Sequence, residues 1–184
     1  AGGAAGHPHH PCARSIAGAI AAAIALAEPV AICHRNRMSK KDFAFRHPFR
    51  VRWSETDAQG VVFNARYLDY ADIAITEYWR ASGWHAMCDT PLECHVKKAT
   101  VTWSAPILPD EMIEVMARTV AVGRTSMTQL VEIHGHHADG RDDLRAEVEL
   151  VAVHVDLATH RPQPLPDWVR PHLAAFDARA MEPA

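Results

Sequence analysis

The chain has no excess of basic charge: 19 Lys and Arg stand against 22 Asp and Glu, a formal net charge of -3 over 184 residues. Acids and bases are both spread along the sequence, so the basic field that binding to a phosphate backbone requires is missing, and nucleic acid is excluded as an expected partner. None of the four cysteines, Cys12, Cys33, Cys88 and Cys94, stands in a C-x-x-C pair. That spacing argues against a dense disulfide framework and fits reduced thiols in a cytoplasmic protein. The apolar run at residues 16–27 is mostly alanine and too short and weakly hydrophobic to span a bilayer, so no membrane span is expected. What is plentiful is apolar sequence, 48% against 22% charged, the balance of a folded globular protein. With no long linker or internal repeat after Phe43, one domain of ordinary size is expected.

The first 37 residues differ from the rest, with Gly, Ala, Pro and His leading into the alanine-rich run. Arg14 before an apolar stretch resembles a signal peptide, yet Glu28-Pro29 and the basic residues 34–37 fit a cleavage region poorly. Residues 38–42 read like an ordinary bacterial start, so residues 1–37 are expected to be a disordered or dispensable extension and residues 38–184 the domain. His7, His9 and His10 gather near Cys12, but a tail does not preorganise ligands, and no metal is expected there. His134, His136 and His137 fall where a strand gives way to a turn and are expected to be solvated.

From Phe43 onward the pattern alternates between strand and helix. Residues 45–53 have strand composition, and residues 54–63, with Asp57 and Gly60, read as a loop. Over residues 64–82, Tyr67, Leu68, Ala71, Ile75, Tyr78 and Trp79 recur at three- and four-residue spacing, which predicts a helix with Asn64 as N-cap and Gly83 as its stop. Residues 96–105 set Ala99, Val101 and Trp103 against Lys98, Thr100 and Thr102, the period of a strand. Residues 112–122 and 125–135 read as a hairpin turning at Gly123-Arg124. Residues 144–157 become largely apolar, as in a strand buried from both sides. Pro162, Pro164 and Pro166 then end the sheet before a short helix over residues 167–176. One long helix with an apolar stripe and a mostly antiparallel sheet pack most economically with the sheet curled around the helix, an α+β arrangement.

The segment Trp53-Ser54-Glu55-Thr56-Asp57-Ala58-Gln59-Gly60-Val61-Val62-Phe63-Asn64-Ala65-Arg66-Tyr67-Leu68 carries the pattern D-x-x-G-x-V, an aromatic residue, then x-x-x-Y at a helix start. This resembles the signature of hotdog-fold acyl-CoA thioesterases of the 4-hydroxybenzoyl-CoA thioesterase type, and the likeness continues more loosely to about Pro166. The resemblance implies the hotdog fold, an antiparallel sheet wrapped around one central helix, and an acyl-CoA substrate. It implies Asp57 as nucleophile or general base, the backbone N–H of Asn64 as oxyanion donor, and Gly60, Val61, Phe63 and Tyr67 around the substrate. One branch of the family has histidine at the position of Asn64, so an acid or base role for that side chain does not carry over.

Elementary chemistry fits the spacing. Thioester hydrolysis needs a base or nucleophile on one side of the carbonyl carbon and donors where charge develops on its oxygen. A helix start supplies unpaired N–H groups within one short loop of Asp57. The competing reading of Asp57 is a turn aspartate bonded to its own backbone. Glu55 and Thr56 are candidates for contact with the site or plain exposed loop residues, and Tyr67 for substrate contact or helix packing. Arg124, Thr125 and Ser126 form a turn where, the resemblance implies, the phosphates and pantetheine of CoA are met; a basic residue beside two hydroxyls suits phosphate, a solvated turn is the competing reading, and Arg161 is a fainter candidate. No metal or redox cofactor is needed for this chemistry. Exposed sheet edges and the family's habit imply a homodimer or homotetramer with the site at the subunit interface. An acyl-carrier-protein thioesterase and a non-catalytic acyl-binding protein are the alternatives.

Overall fold

The computed structural model describes residues 39–87 and 92–179. The expectations for residues 1–37, including the histidine cluster near Cys12, and for Cys33 and Cys88 lie outside the described residues. The elements in chain order are β1 (Phe45–Arg50), α1 (Arg66–Ser82), β2 (Cys94–Trp103), β3 (Met112–Val122), β4 (Ser126–Gly135), β5 (Leu144–Asp156), β6 (Arg161–Pro162) and α2 (Val169–Ala178). The sheet runs β1-β3-β4-β5-β2 with every pairing antiparallel, and β6 adds a short pairing to β5. The sheet ends at Pro162, as expected: that residue sits opposite Val155 in the short pairing, an edge position where a missing N–H is tolerated.

α1 lies against the inner face of this sheet, and the hotdog arrangement is present. Its buried residues Tyr67, Tyr70, Ala71, Ala74, Ile75 and Tyr78 follow the i, i+3, i+4, i+7 rhythm of one helical face. Leu68, expected in that stripe, is exposed, and Tyr70 and Ala74 take part instead. The sheet answers with alternate residues: Ile113, Val115 and Ala117 from β3, Met127, Val131 and Ile133 from β4, Ala146, Val148 and Leu150 from β5. Each large side chain buried here contributes about 1.5–3 kcal/mol. Alanines at the helix contact let the sheet curl close. Asp177 in α2 ties these layers together, its Oδ2 accepting from Tyr78 Oη and from Thr119 N at 3.0 Å each.

Gly83 ends α1 in the left-handed conformation (φ 75°), its N–H bonded back to Arg80 and Trp79 carbonyls, as a C-terminal stop should. The other end differs from expectation. The N-cap is Ala65, already helical at φ -68° and ψ -24°, with no side-chain cap. The chain enters through a turn closed by Arg66 N to Phe63 O at 2.9 Å, so Asn64 lies inside that turn, one residue before the N-cap position.

Three further expectations change. β2 is exposed along most of both faces, with only Cys94 and Val101 half-buried, and among the described residues it pairs on one side alone, with β5. In β5 the core face is buried but Val151 and Val153 on the outer face are half-covered, so the apolar run is not closed in on both sides. His134 is not a solvated turn residue: it is buried on the outer face between Glu132 (2.8 Å) and Asp142 (3.1 Å). His137 likewise pairs with Asp143 at 2.7 Å, and Lys40 with Glu114 at 2.8 Å.

Candidate functional site

The loop between β1 and α1 is a tight hairpin. Phe63 N donates to Glu55 O (2.9 Å), Thr56 and Val62 form an antiparallel bridge, and Asp57 N donates to Val61 O (2.9 Å). At its tip Gly60 N donates to Asp57 O (3.0 Å), and Gly60 has φ 77°, the left-handed value that glycine adopts without a side-chain clash. Asp57 Oδ1 accepts from Gln59 N at 2.8 Å. The turn role of this aspartate is thus real, and it does not exhaust the carboxylate. Among the described residues Oδ2 has no hydrogen-bond partner, and the side chain is half-buried.

The far side of the hairpin delivers the chain to α1. Among the described residues no acceptor meets the backbone N–H of Asn64 or of Ala65, which leaves donors at the positive end of a 17-residue helix. Val62 N is bonded to Ile107 O at 2.9 Å, so the loop also leans on the turn between β2 and β3. Tyr67 sits between these pieces, buried, its ring edge-on to Trp103 at 6.1 Å. Burial pushes its hydroxyl up to about 12, partly offset by a hydrogen bond with the Ile107 backbone and by Arg145. It is a neutral hydroxyl near neutral pH.

Two supports for this loop were not legible as such in the sequence. Glu55 is not an exposed loop residue: its side chain is largely covered, and its Oε2 accepts from Arg52 N (2.7 Å) and from Tyr70 Oη (3.0 Å). Arg145, at the start of β5, holds the neighbouring turn by donating to Pro106 O, to Glu111 Oε1 (2.6 Å) and to Asp143 Oδ2 (2.8 Å). The Arg145 guanidinium, with His137, holds the Asp143 carboxyl down at about 2. Because that value lies below the ordinary carboxylate value of about 4, the pair's stabilisation is complete above about pH 4 and is lost as pH falls towards 2. Melting temperatures recorded between pH 5 and pH 2 should therefore fall less steeply for Asp143→Asn than for the parent.

Arg124, Thr125 and Ser126 are elsewhere. They lie at the far end of β3, whose 11 residues span roughly 36 Å at about 3.3 Å each, while the opposite end of β3 pairs with β1 beside the Asp57 loop. Arg124 is exposed and borders a shallow cavity of about 250 Å³ shared with Pro164, Asp167 and Arg170. One protomer thus brings together Asp57, Gly60, Val61, Phe63, Asn64 and Tyr67, and does not bring the Arg124 turn to them. Arg161 is in β6, also away from the loop.

The surface around the loop is apolar. Trp53 is 72% exposed, Phe63 48% and Trp103 43%. Exposed large apolar side chains gathered around one feature mark an interaction surface. No helix among the described residues is long and apolar enough to cross a membrane.

Comparison with known proteins agrees with this geometry. Residues 51–173 match the family model described as the thioesterase-like superfamily. The acyl-CoA thioester hydrolase YbgC of Escherichia coli is 32% identical over 124 residues, covering 66% of this chain and 90% of the relative. Among solved structures, a Thermus thermophilus thioesterase complexed with coenzyme A and Zn superposes with a TM-score of 0.63 at 27% identity, over 75% of this chain and 98% of that one. A 1,4-dihydroxy-2-naphthoyl-CoA thioesterase from Synechocystis shares the fold at 17% identity and a TM-score of 0.61, over 72% and 97% of the two chains.

Proposed function

The chain belongs to the thioesterase-like superfamily and is a thioester hydrolase, and from that premise we propose that it cleaves acyl-CoA at the Asp57 loop. The observation that carries the reading is the hairpin itself: a carboxylate with one oxygen fixed by the Gln59 amide and the other without a partner among the described residues, followed directly by amides of a helix start that no described acceptor meets. Those amides stabilise the oxyanion as the carbonyl carbon becomes tetrahedral. In one route Asp57 Oδ2 attacks that carbon, the C–S bond breaks, the thiolate of CoA leaves and takes up a proton, and water then opens the mixed anhydride to the free acid. In the other, Asp57 accepts a proton from a water that attacks directly. Single turnover in oxygen-18 water separates them, because label enters Asp57 only through the anhydride. A CoA-borne substrate supports the cytoplasm as the place of the reaction.

The site is completed by a second copy of the chain. Among the described residues β2 has a free edge, and its Trp103 end adjoins Tyr67. Its Cys94 end faces His154, whose N–H donates to Thr125 O at 2.9 Å. Antiparallel pairing of two β2 edges about a two-fold axis reverses these ends. It would bring Arg124, Thr125 and Ser126 of the partner subunit towards the Asp57 loop, where they suit the phosphates of CoA, and it would cover Val96 and Trp103. Gel filtration is expected to show a dimer or a dimer of dimers; a monomer at micromolar concentration would contradict this assembly. Release of free thiol from acyl-CoA tests the activity. Faster turnover of the same acyl groups on acyl-carrier protein, with weak binding of free CoA, would move the assignment of the carrier.

A further inference from the structure

We propose that the Glu55–Tyr70 hydrogen bond positions the catalytic loop, fixing the Asp57 carboxylate relative to the first amides of α1. The proposal rests on the reading of Asp57 given above. Tyr70 is one turn into α1, fully buried, with its ring edge-on to Phe49 at 5.2 Å and tilted against Tyr67 at 6.2 Å. A hydroxyl on a ring so enclosed is a fixed point of the core. It donates to Glu55 Oε2 at 3.0 Å, and the same oxygen takes Arg52 N at 2.7 Å. The main-chain oxygen of Glu55 receives Phe63 N at 2.9 Å.

Glu55 therefore touches three things at once: the incoming strand of the hairpin, the outgoing strand and the helix. It stands two residues before Asp57, and the residue it receives on the outgoing strand, Phe63, directly precedes the unpaired Asn64 amide. Loss of the clamp lets the hairpin's own rungs, Asp57 N to Val61 O and Phe63 N to Glu55 O, open more often and frees the hairpin to pivot against α1. Catalysis is sensitive to such a pivot, since a shift of about 1 Å between reacting groups costs up to about 100-fold in rate. Glu55 is a positioning residue in this account: its side chain is largely covered, Oε2 is committed to two donors, and Oε1 faces the Arg52 guanidinium at 4.0 Å. Both bonds end on one oxygen, so the amide oxygen of glutamine can accept them equally well.

The test uses Tyr70→Phe, Glu55→Ala, their combination and Glu55→Gln in the full chain, with kinetics on an acyl-CoA that the parent hydrolyses and hydrogen exchange at the Asp57, Val62 and Phe63 amides. Tyr70→Phe preserves the packed ring and should fold. Expected for Tyr70→Phe and Glu55→Ala are kcat lower by about 10-fold with KM little changed, and exchange at those amides faster by about 10-fold. The double variant should be no slower than Glu55→Ala, and Glu55→Gln should restore kcat with the parent's pH–rate profile. Unchanged exchange in Tyr70→Phe and Glu55→Ala would overturn the clamp, and so would faster exchange with parental kcat. Glu55→Gln as slow as Asp57→Asn would make Glu55 itself the working carboxylate. If Asp57→Asn kept full activity, the reading of Asp57 would fail, while exchange would still report on the clamp separately.

Discussion

Asp57→Asn is expected to lower kcat by about 100- to 10,000-fold, the range associated with removing a positioned acid or base, while leaving the melting temperature almost unchanged. The two halves of this result have separate causes. Asparagine keeps the side-chain oxygen that accepts Gln59 N at the hairpin tip, and Asn is as well suited as Asp to a turn of this kind. The Gly60 to Asp57 bond and the rungs to Val61 and Glu55 are made by the backbone and do not depend on the charge. What asparagine lacks is an anionic oxygen to attack the carbonyl or to take a proton from water. Parallel thiol-release kinetics and thermal melts check both halves. A variant with parental activity would remove Asp57 from the chemistry and leave it the turn residue that the spacing alone allows.

Arg145→Met should give the largest stability loss among the polar supports of the site, about 2–3 kcal/mol. The guanidinium is mostly covered and meets Glu111, Asp143 and the Pro106 carbonyl. Methionine fills part of the volume but takes one donor from each of two carboxylates, leaving Asp143 with His137 and Glu111 with Leu108 N, and removes the donor to the Pro106 carbonyl, and that desolvated remainder sets the cost. For a chain of this length the loss corresponds to a fall of about 4–12 °C in melting temperature. The turn it holds carries Ile107, which receives Val62 N, so kcat should fall together with stability. Melting by circular dichroism measures the first effect. A loss under about 0.5 kcal/mol, the size of an ordinary surface change, would show that the turn stands without Arg145.

Much of the fold was readable because single elements announce themselves locally. The spacing of Tyr67, Ala71, Ile75 and Tyr78 with Gly83 behind them marks α1, and Gly123-Arg124 marks the β3–β4 hairpin. The parts misread depend on contacts made across the sequence. Leu68 belongs to a plausible stripe by spacing, yet the sheet meets a face centred closer to Tyr70 and Ala74, and only the packing decides that. Asn64 looks like an N-cap by residue type, whereas the preceding turn has already set helical dihedrals at Ala65. His134 reads as solvated beside His136 and His137, and it is buried between the carboxylates of Glu132 and Asp142.

The candidate site divides in the same way. Asp57, Gly60 and the helix start lie within one short segment, so their proximity follows from spacing. Arg145 finds Glu111 34 residues away and Tyr70 finds Glu55 at a separation of 15. No local pattern distinguishes those residues from ordinary surface charge or helix packing. The Arg124 turn was placed near the substrate by resemblance, and it joins the Asp57 loop only if two chains pair through β2.

The most direct measurement is free-thiol release by the purified full chain across short-chain, long-chain and aryl acyl-CoAs. Catalytic turnover of at least one class is expected, with kcat/KM at or above about 10⁴ M⁻¹s⁻¹, and with kcat lowered by about 100- to 10,000-fold in Asp57→Asn. No release from any ester by folded, dimeric protein would contradict it.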